Sequence, residues 1–152
     1  PFAEKGIAIV GLEPSCLLTL RDEYTVMGLG EDAELVSRHS LLLEEFLARE
    51  LKAGKLDTFK SRLSTINQPI LVHGHCHQKA FGLVSEVLEV VRMVPGATPR
   101  LIETSCCGMA GSFGYEAQHH DLSMAMAEAS TPDPTYGTPA ISSSPWIVPS
   151  SP

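Results

Sequence analysis

Basic clusters, long apolar runs and paired Cys-x-x-Cys knuckles are all missing from this sequence, and each absence removes a class of function. Acidic residues outnumber basic ones 18 to 11 over 152 residues, for a net charge of −7. With no Lys/Arg stripe on the acidic background, nucleic acid and anionic membrane surfaces are poor candidates as partners. The longest apolar stretches, Gly6 to Leu12 and Leu83 to Val94, fall far short of the about 20 residues a transmembrane helix needs. The chain opens Pro1-Phe2-Ala3-Glu4, without an initiator methionine or a basic leader, so no signal peptide is expected and the start reads as a cut from a longer chain. Absence of any secretion signal makes the four cysteines reduced thiols available to a metal rather than a disulfide framework, and implies a cytoplasmic protein.

What is present describes an ordinary globular domain, 43% hydrophobic and 19% charged. Gly6-Ile-Ala-Ile-Val-Gly-Leu12 is a short β-branched run that reads as a buried strand, closed by Glu13-Pro-Ser-Cys16. Leu17 to Tyr24 follows as a helix with Ser15 as its cap. Leu35, His39, Leu42 and Phe46, with Leu43, Leu47 and Leu51, recur at helical spacing, which predicts one amphipathic helix from Asp32 to Lys52 with Glu44, Glu45, Arg49 and Glu50 on its solvated face. Ile70-Leu-Val72 predicts a second strand, ending at His73-Gly-His-Cys-His77, and Leu83 to Val91 a helix after it. Arg100-Leu-Ile-Glu103 predicts a third strand, followed at once by Cys106-Cys107, with a last helix over Gln118 to Ala129.

This alternation predicts an α/β fold: a short parallel sheet covered by helices. Ligands of parallel sheets gather beyond the carboxyl ends of the strands. Cys16, Cys76, Cys106 and Cys107 all stand at such ends, so they are expected on one edge of one sheet. Residues 1–130 form this domain. Thr131 to Pro152 holds six prolines, five serines and three threonines and reads as an irregular tail that adds no ligand, with Trp146, Ile147 and Val148 its only candidates for docking.

Four cysteines in a small domain can be no more than small buried hydrophobes. A vicinal pair with two more at recurrent strand ends points instead to a soft-metal site, because thiolates select zinc, copper(I) or iron-sulfur clusters. Adjacent cysteines on a strand would face opposite sides, so Cys106 and Cys107 must lie in an irregular loop, which Gly108 permits. Gly108, Gly111 and Gly114 lack the spacing of a dinucleotide fingerprint; they form a plain loop or bring backbone N–H groups to cluster sulfur. His75 and His77 flank Cys76, either as ligands or hydrogen-bond donors to thiolate, or as caps for loop backbone. Lys79 lies close enough in sequence to lower the Cys76 thiol pKa, whereas His119 and His120 read as surface residues. Two other chemistries stay open: a structural Cys₄ or Cys₃His zinc site, and a cysteine nucleophile at Cys76 paired with a neighbouring histidine.

Gly11-Leu-Glu-Pro-Ser-Cys-Leu-Leu-Thr-Leu-Arg-Asp-Glu-Tyr24, His73-Gly-His-Cys-His-Gln-Lys-Ala80 and Ser105-Cys-Cys-Gly-Met-Ala-Gly-Ser-Phe-Gly-Tyr-Glu116, in that order, resemble the cysteine-rich CCG domain. That domain closes bacterial FAD-linked oxidases with a fused iron-sulfur module, and it is similar to the iron-sulfur subunits of glycolate oxidase, anaerobic glycerol-3-phosphate dehydrogenase and heterodisulfide reductase. The resemblance covers residues 6 to 130. It implies two repeats whose thiolates hold an iron-sulfur cluster of the 4Fe-4S type, with Cys76, Cys106 and Cys107 in the second repeat and Cys16 closing the first. Glu13 stands where some relatives carry another cysteine. The front of the first repeat is absent, and the Pro/Ser/Thr tail replaces the closing cysteine of the second. The implied function is electron transfer from FAD on a partner flavoprotein domain or subunit to a quinone or other carrier, in a 2-hydroxyacid dehydrogenase lying against the inner face of the membrane.

Overall fold

The computed structural model describes residues 1–103 and 106–129. The chain divides into two compact units, Pro1–Ser105 and Cys106–Pro152. The expected tail, residues 131–152, lies outside the described residues, as do Thr104 and Ser105 before the cysteine pair.

The first unit is α/β. Its elements run β1 (Ile9–Gly11), α1 (Pro14–Thr19), α2 (Glu23–Val26), α3 (Glu31–His39), β2 (Ser40–Leu42), α4 (Leu43–Lys52), α5 (Asp57–Lys60), β3 (Pro69–Val72), α6 (Cys76–Ala80), α7 (Val84–Val91) and β4 (Thr98–Leu101). All pairing is parallel, as the alternation of strands and helices requires. β1 lies against β2 with Val10 opposite Leu41, and β3 against β4 with Leu71 opposite Arg100. Ile102 N–H continues the second ladder to the Val72 carbonyl at 2.9 Å. Among the described residues these are two separate two-stranded sheets rather than one, so Cys16 and Cys76 follow strands of different sheets.

The predicted helix from Asp32 to Lys52 is the larger difference. It is broken at Ser40–Leu42, which becomes β2. The break is chemically satisfied at both sides: Ser40 Oγ donates to the Val36 carbonyl at 2.8 Å, and the Glu45 carboxylate accepts the Leu42 N–H at 2.9 Å. Ser40 and Leu42 are both buried. Leucines at helical spacing run straight through these three residues with no Gly or Pro to mark the break, so the periodicity does not record it. Strand pairing with β1 wins because the β1 backbone needs a ladder partner and Leu42 fills the core.

That core consists of Leu17, Leu18, Leu42 and Leu83, with Ile9, Leu20 and Phe81 packed on it. It joins the first sheet and α1 to the α6–α7 segment. Over it, Arg21 Nη1 reaches both oxygens of Glu45 at 2.8 and 2.7 Å, and the guanidinium stands 5.5 Å from the Phe81 ring centroid. No helix among the described residues is long and apolar enough to cross a membrane.

In the second unit, tight 3-10 turns at Phe113–Tyr115 and Ala117–His119 lead into α8 (His120–Ala129), so the last helix starts two residues later than its sequence pattern suggests. Its Ser123 is buried and donates to the Gly108 carbonyl at 2.9 Å, pinning the loop that carries the cysteine pair.

Candidate functional site

Cys16 sits in the first turn of α1, and the residue that organises this turn is Glu13. Its carboxylate accepts the Ser15 N–H at 3.1 Å and the Cys16 N–H at 2.6 Å, and Ser15 Oγ lies 2.7 Å from each oxygen. Residue type points to Ser15 as the cap. Instead Glu13 caps, Pro14 occupies the first helical position where no N–H is needed, and Ser15 donates to the cap. The Cys16 thiol donates to the same carboxylate, and this bond is the largest cause that holds the Glu13 pKa down to about 2; the Ser15 hydroxyl and the backbone N–H groups add to it against a small desolvation. The reciprocal effect raises the exposed Cys16 thiol above its ordinary value, through the hydrogen bond to Glu13 first and then its negative charge. Gly11 lets α1 fold back this closely, since a Cβ there would stand 2.7 Å from Leu17 Cβ.

The Cys76 loop repeats the arrangement with different chemistry. Cys76 is the first residue of α6, and His75 caps that helix. His75 Nδ1 accepts the His77 N–H at 3.2 Å, and Gln78, itself buried, returns its side-chain oxygen to the His75 N–H at 3.0 Å. The rings of His75 and His77 stack with centroids 5.4 Å apart. His77 Nδ1 is buried and has no hydrogen-bond partner among the described residues. Desolvation, followed by the Lys79 charge, pushes His73 below the ordinary imidazole value although much of the residue faces solvent. Gly74 is the counterpart of Gly11, with Val84 Cγ2 at 2.9 Å from where a Cβ would be.

These two loops lie side by side. α1 contacts α6, and His75 Nε2 stands 3.9 Å from Glu13 Oε1. The structure thus brings together Glu13, Cys16 and His75, with Cys76 next to His75 in the chain. Sequence reasoning names the cysteines and His75 but gives Glu13 no function. The signal that could have found it is an acidic residue three positions before Cys16 and directly before a proline, a combination that suits a helix cap.

In the second unit, Cys106 is half-buried and Cys107 exposed, and no disulfide joins any of the four cysteines. Gly108 N–H donates to Cys106 Sγ at 3.4 Å, which is the backbone-to-sulfur contact that a glycine loop permits. Gly108 has φ +87° and a Cβ on it would collide with the Ser123 carbonyl, so only glycine suits this place. Gly111 is also left-handed, at φ +67°, in open space. His119 is not a plain surface residue: it stacks on Phe113 with ring centroids 4.1 Å apart and pairs with Glu116 at 2.9 Å. His120 is exposed and pairs with Asp121 at 3.1 Å.

Within neither unit do the described residues gather three or more His, Cys, Asp or Glu side chains into a group that could hold a metal ion. Within each unit the donor chemistry nonetheless suits a soft metal: exposed thiols in the first turns of α1 and α6 in the first, and in the second a half-buried and an exposed thiol with a backbone N–H directed at one sulfur.

No family model matches the chain, and no solved structure matches it. Curated relatives do. Over 122 residues, 80% of this chain, it is 30% identical to a subunit of the anaerobic glycerol-3-phosphate dehydrogenase of Escherichia coli (strain K12), and it covers 30% of that subunit. It is 31% identical over 131 residues to D-2-hydroxyglutarate dehydrogenase of the same strain, spanning 85% of this chain and 12% of that protein. The Haemophilus influenzae D-2-hydroxyglutarate dehydrogenase is 26% identical over 133 residues, 85% of this chain and 13% of that protein. The chain therefore spans less than a third of the length of each of these relatives, and all three are dehydrogenases or a subunit of one.

Proposed function

We propose that this chain is the electron-transfer part of an oxidoreductase: an iron-sulfur domain of the CCG type that takes electrons from FAD on a partner domain or subunit and passes them to a quinone or another carrier. The observation that carries this reading is similarity to dehydrogenases along 80% and 85% of the chain. The thiol-rich donor set supports it. The ligands proposed are the thiolates of Cys16, Cys76, Cys106 and Cys107. A 4Fe-4S cluster bound there supplies one-electron transfer. Around it the chain's own residues provide hydrogen bonds and burial: the Gly108 N–H beside Cys106 Sγ, the Gly111 turn, and the imidazoles of His75 and His77 next to Cys76. Such contacts to sulfur tune a reduction potential. The substrate of the whole oxidoreductase is proposed to be a small 2-hydroxy acid such as D-lactate, glycolate or 2-hydroxyglutarate, oxidised at the flavin, with the protein lying in the cytoplasm against the membrane.

Anaerobic reconstitution with iron and sulfide tests the proposal. The purified chain is expected to be colourless and to gain a broad absorption near about 400 nm with an electron paramagnetic resonance signal after reduction. Cys107→Ser is expected to abolish the band. A stoichiometric zinc content that survives dialysis of native protein would replace this reading with the structural zinc site.

A further inference from the structure

We infer that Glu13 and His75 are positioning residues that lock the Cys16 loop to the Cys76 loop, so that the two thiols are presented as a fixed pair. Each residue caps its own helix and each has one atom left facing the other. His75 Nδ1 accepts the His77 N–H at 3.2 Å, so that nitrogen carries a lone pair and the proton of the neutral ring lies on Nε2. Nε2 is the atom that stands 3.9 Å from Glu13 Oε1. The carboxylate is already engaged by the Ser15 N–H and hydroxyl and by the Cys16 N–H and thiol, so at 3.9 Å it meets the ring edge as a negative charge facing an N–H dipole, a contact longer than a hydrogen bond. Its bonds to its own turn mark Glu13 as a spacer that holds Cys16 in place rather than a donor that replaces a thiolate.

The inner ends of the two segments are already tied by Leu17, Leu18, Phe81 and Leu83. Helices α1 and α6 are short, six and five residues, and Cys16 and Cys76 stand in their first turns and are not members of that core. The contact between caps falls at this same end of each helix. Cys16 and Cys76 are both exposed, so the pair is open to a reagent or a metal. The inference deepens the proposed function, because a preset thiol pair lowers the entropy of assembling any soft-metal site.

The test uses the 152-residue chain, reduced and metal-free, with Cys106→Ser and Cys107→Ser, leaving Cys16 and Cys76. Intramolecular bridging by a short bis-maleimide is followed by peptide mass mapping and normalised to single-thiol alkylation by N-ethylmaleimide. Glu13→Asp and His75→Asn each keep a side chain that caps well but shorten the reach across the gap. Each is expected to slow bridging by about tenfold, through a lower effective concentration of one thiol at the other. The double variant should be no slower than either single one, and far-ultraviolet circular dichroism should be unchanged. Bridging at the parent rate in either single variant, multiplied losses in the double variant, or no bridging in the parent would overturn the inference. Iron plays no part in this readout, so failure of cluster reconstitution leaves it standing and its own failure leaves the reconstitution result intact.

Discussion

A carboxylate that accepts from a thiol, a hydroxyl and two backbone N–H groups remains ionised deep into acid, and Glu13, held down to about 2, is such a group. Its folded pKa lies below its ordinary value, so its contribution to stability is complete above pH 4.5 and is lost as pH falls toward 2. The group is largely solvent-exposed, so screening leaves only a small part of that shift as stability. The clearer consequence is at Cys16, whose thiol is held in its neutral form by the same carboxylate. Glu13→Gln removes the charge and is expected to speed iodoacetamide labelling of Cys16 at neutral pH, measured by mass spectrometry against labelling of Cys107 in the same sample. An unchanged ratio would show that the carboxylate does not govern this thiol. At this scale the helix-start positions of Cys16 and Cys76 after strand-like runs, and the place of His75 beside Cys76, were legible in the sequence. Glu13 was not, because Ser15 is the stronger cap by residue type, and only the folded turn reveals that the serine hydroxyl serves as a donor to Glu13.

Leu42 and Leu43 are adjacent, equally apolar and equally placed in the heptad-like pattern, yet β2 ends on one and α4 begins on the other. Leu42 is 1% exposed and Leu43 36%. Leu42→Ala should therefore cost about 2–5 kcal/mol in urea unfolding, as for other buried leucines, while Leu43→Ala should stay within about 1 kcal/mol. Equal losses would restore the continuous helix that the periodicity predicts. Glu45 makes the same point from the polar side, since it accepts the Leu42 N–H and pairs with Arg21. Glu45→Ala is expected to cost roughly 1–3 kcal/mol, the usual range when a charged hydrogen-bond partner is removed from a partly buried group, read from the same urea midpoints. Parallel pairing and the strand-then-helix order around Cys16 and Cys76 were legible in the sequence. The strand hidden at Ser40–Leu42 was not, because leucines at helical spacing run through it with no Gly or Pro to mark the break. Nor was the division into two sheets, because strands of three and four residues carry no sequence signal of which neighbour they pair with.

For the chain as a whole, all four cysteines and all six histidines lie ahead of residues 131–152. Ordering a residue's backbone costs roughly 1–2 kcal/mol, so fixing the 22 residues from Thr131 to Pro152 would cost on the order of 20 kcal/mol or more. Against that, Trp146, Ile147 and Val148 can each return about 1.5–3 kcal/mol when fully buried, and the six prolines remove backbone donors that a helix or an inner strand would use. The balance predicts that the first 129 residues suffice. A chain ending at Ala129 should keep the far-ultraviolet helical signal, the urea midpoint and the iron taken up on reconstitution of the longer chain, since no thiol or imidazole is removed with residues 131–152. A midpoint that falls on this truncation would mean that Trp146, Ile147 and Val148 close an apolar surface, and a loss of iron alone would place a ligand among residues whose side chains offer only hydroxyl, carboxylate and backbone oxygen.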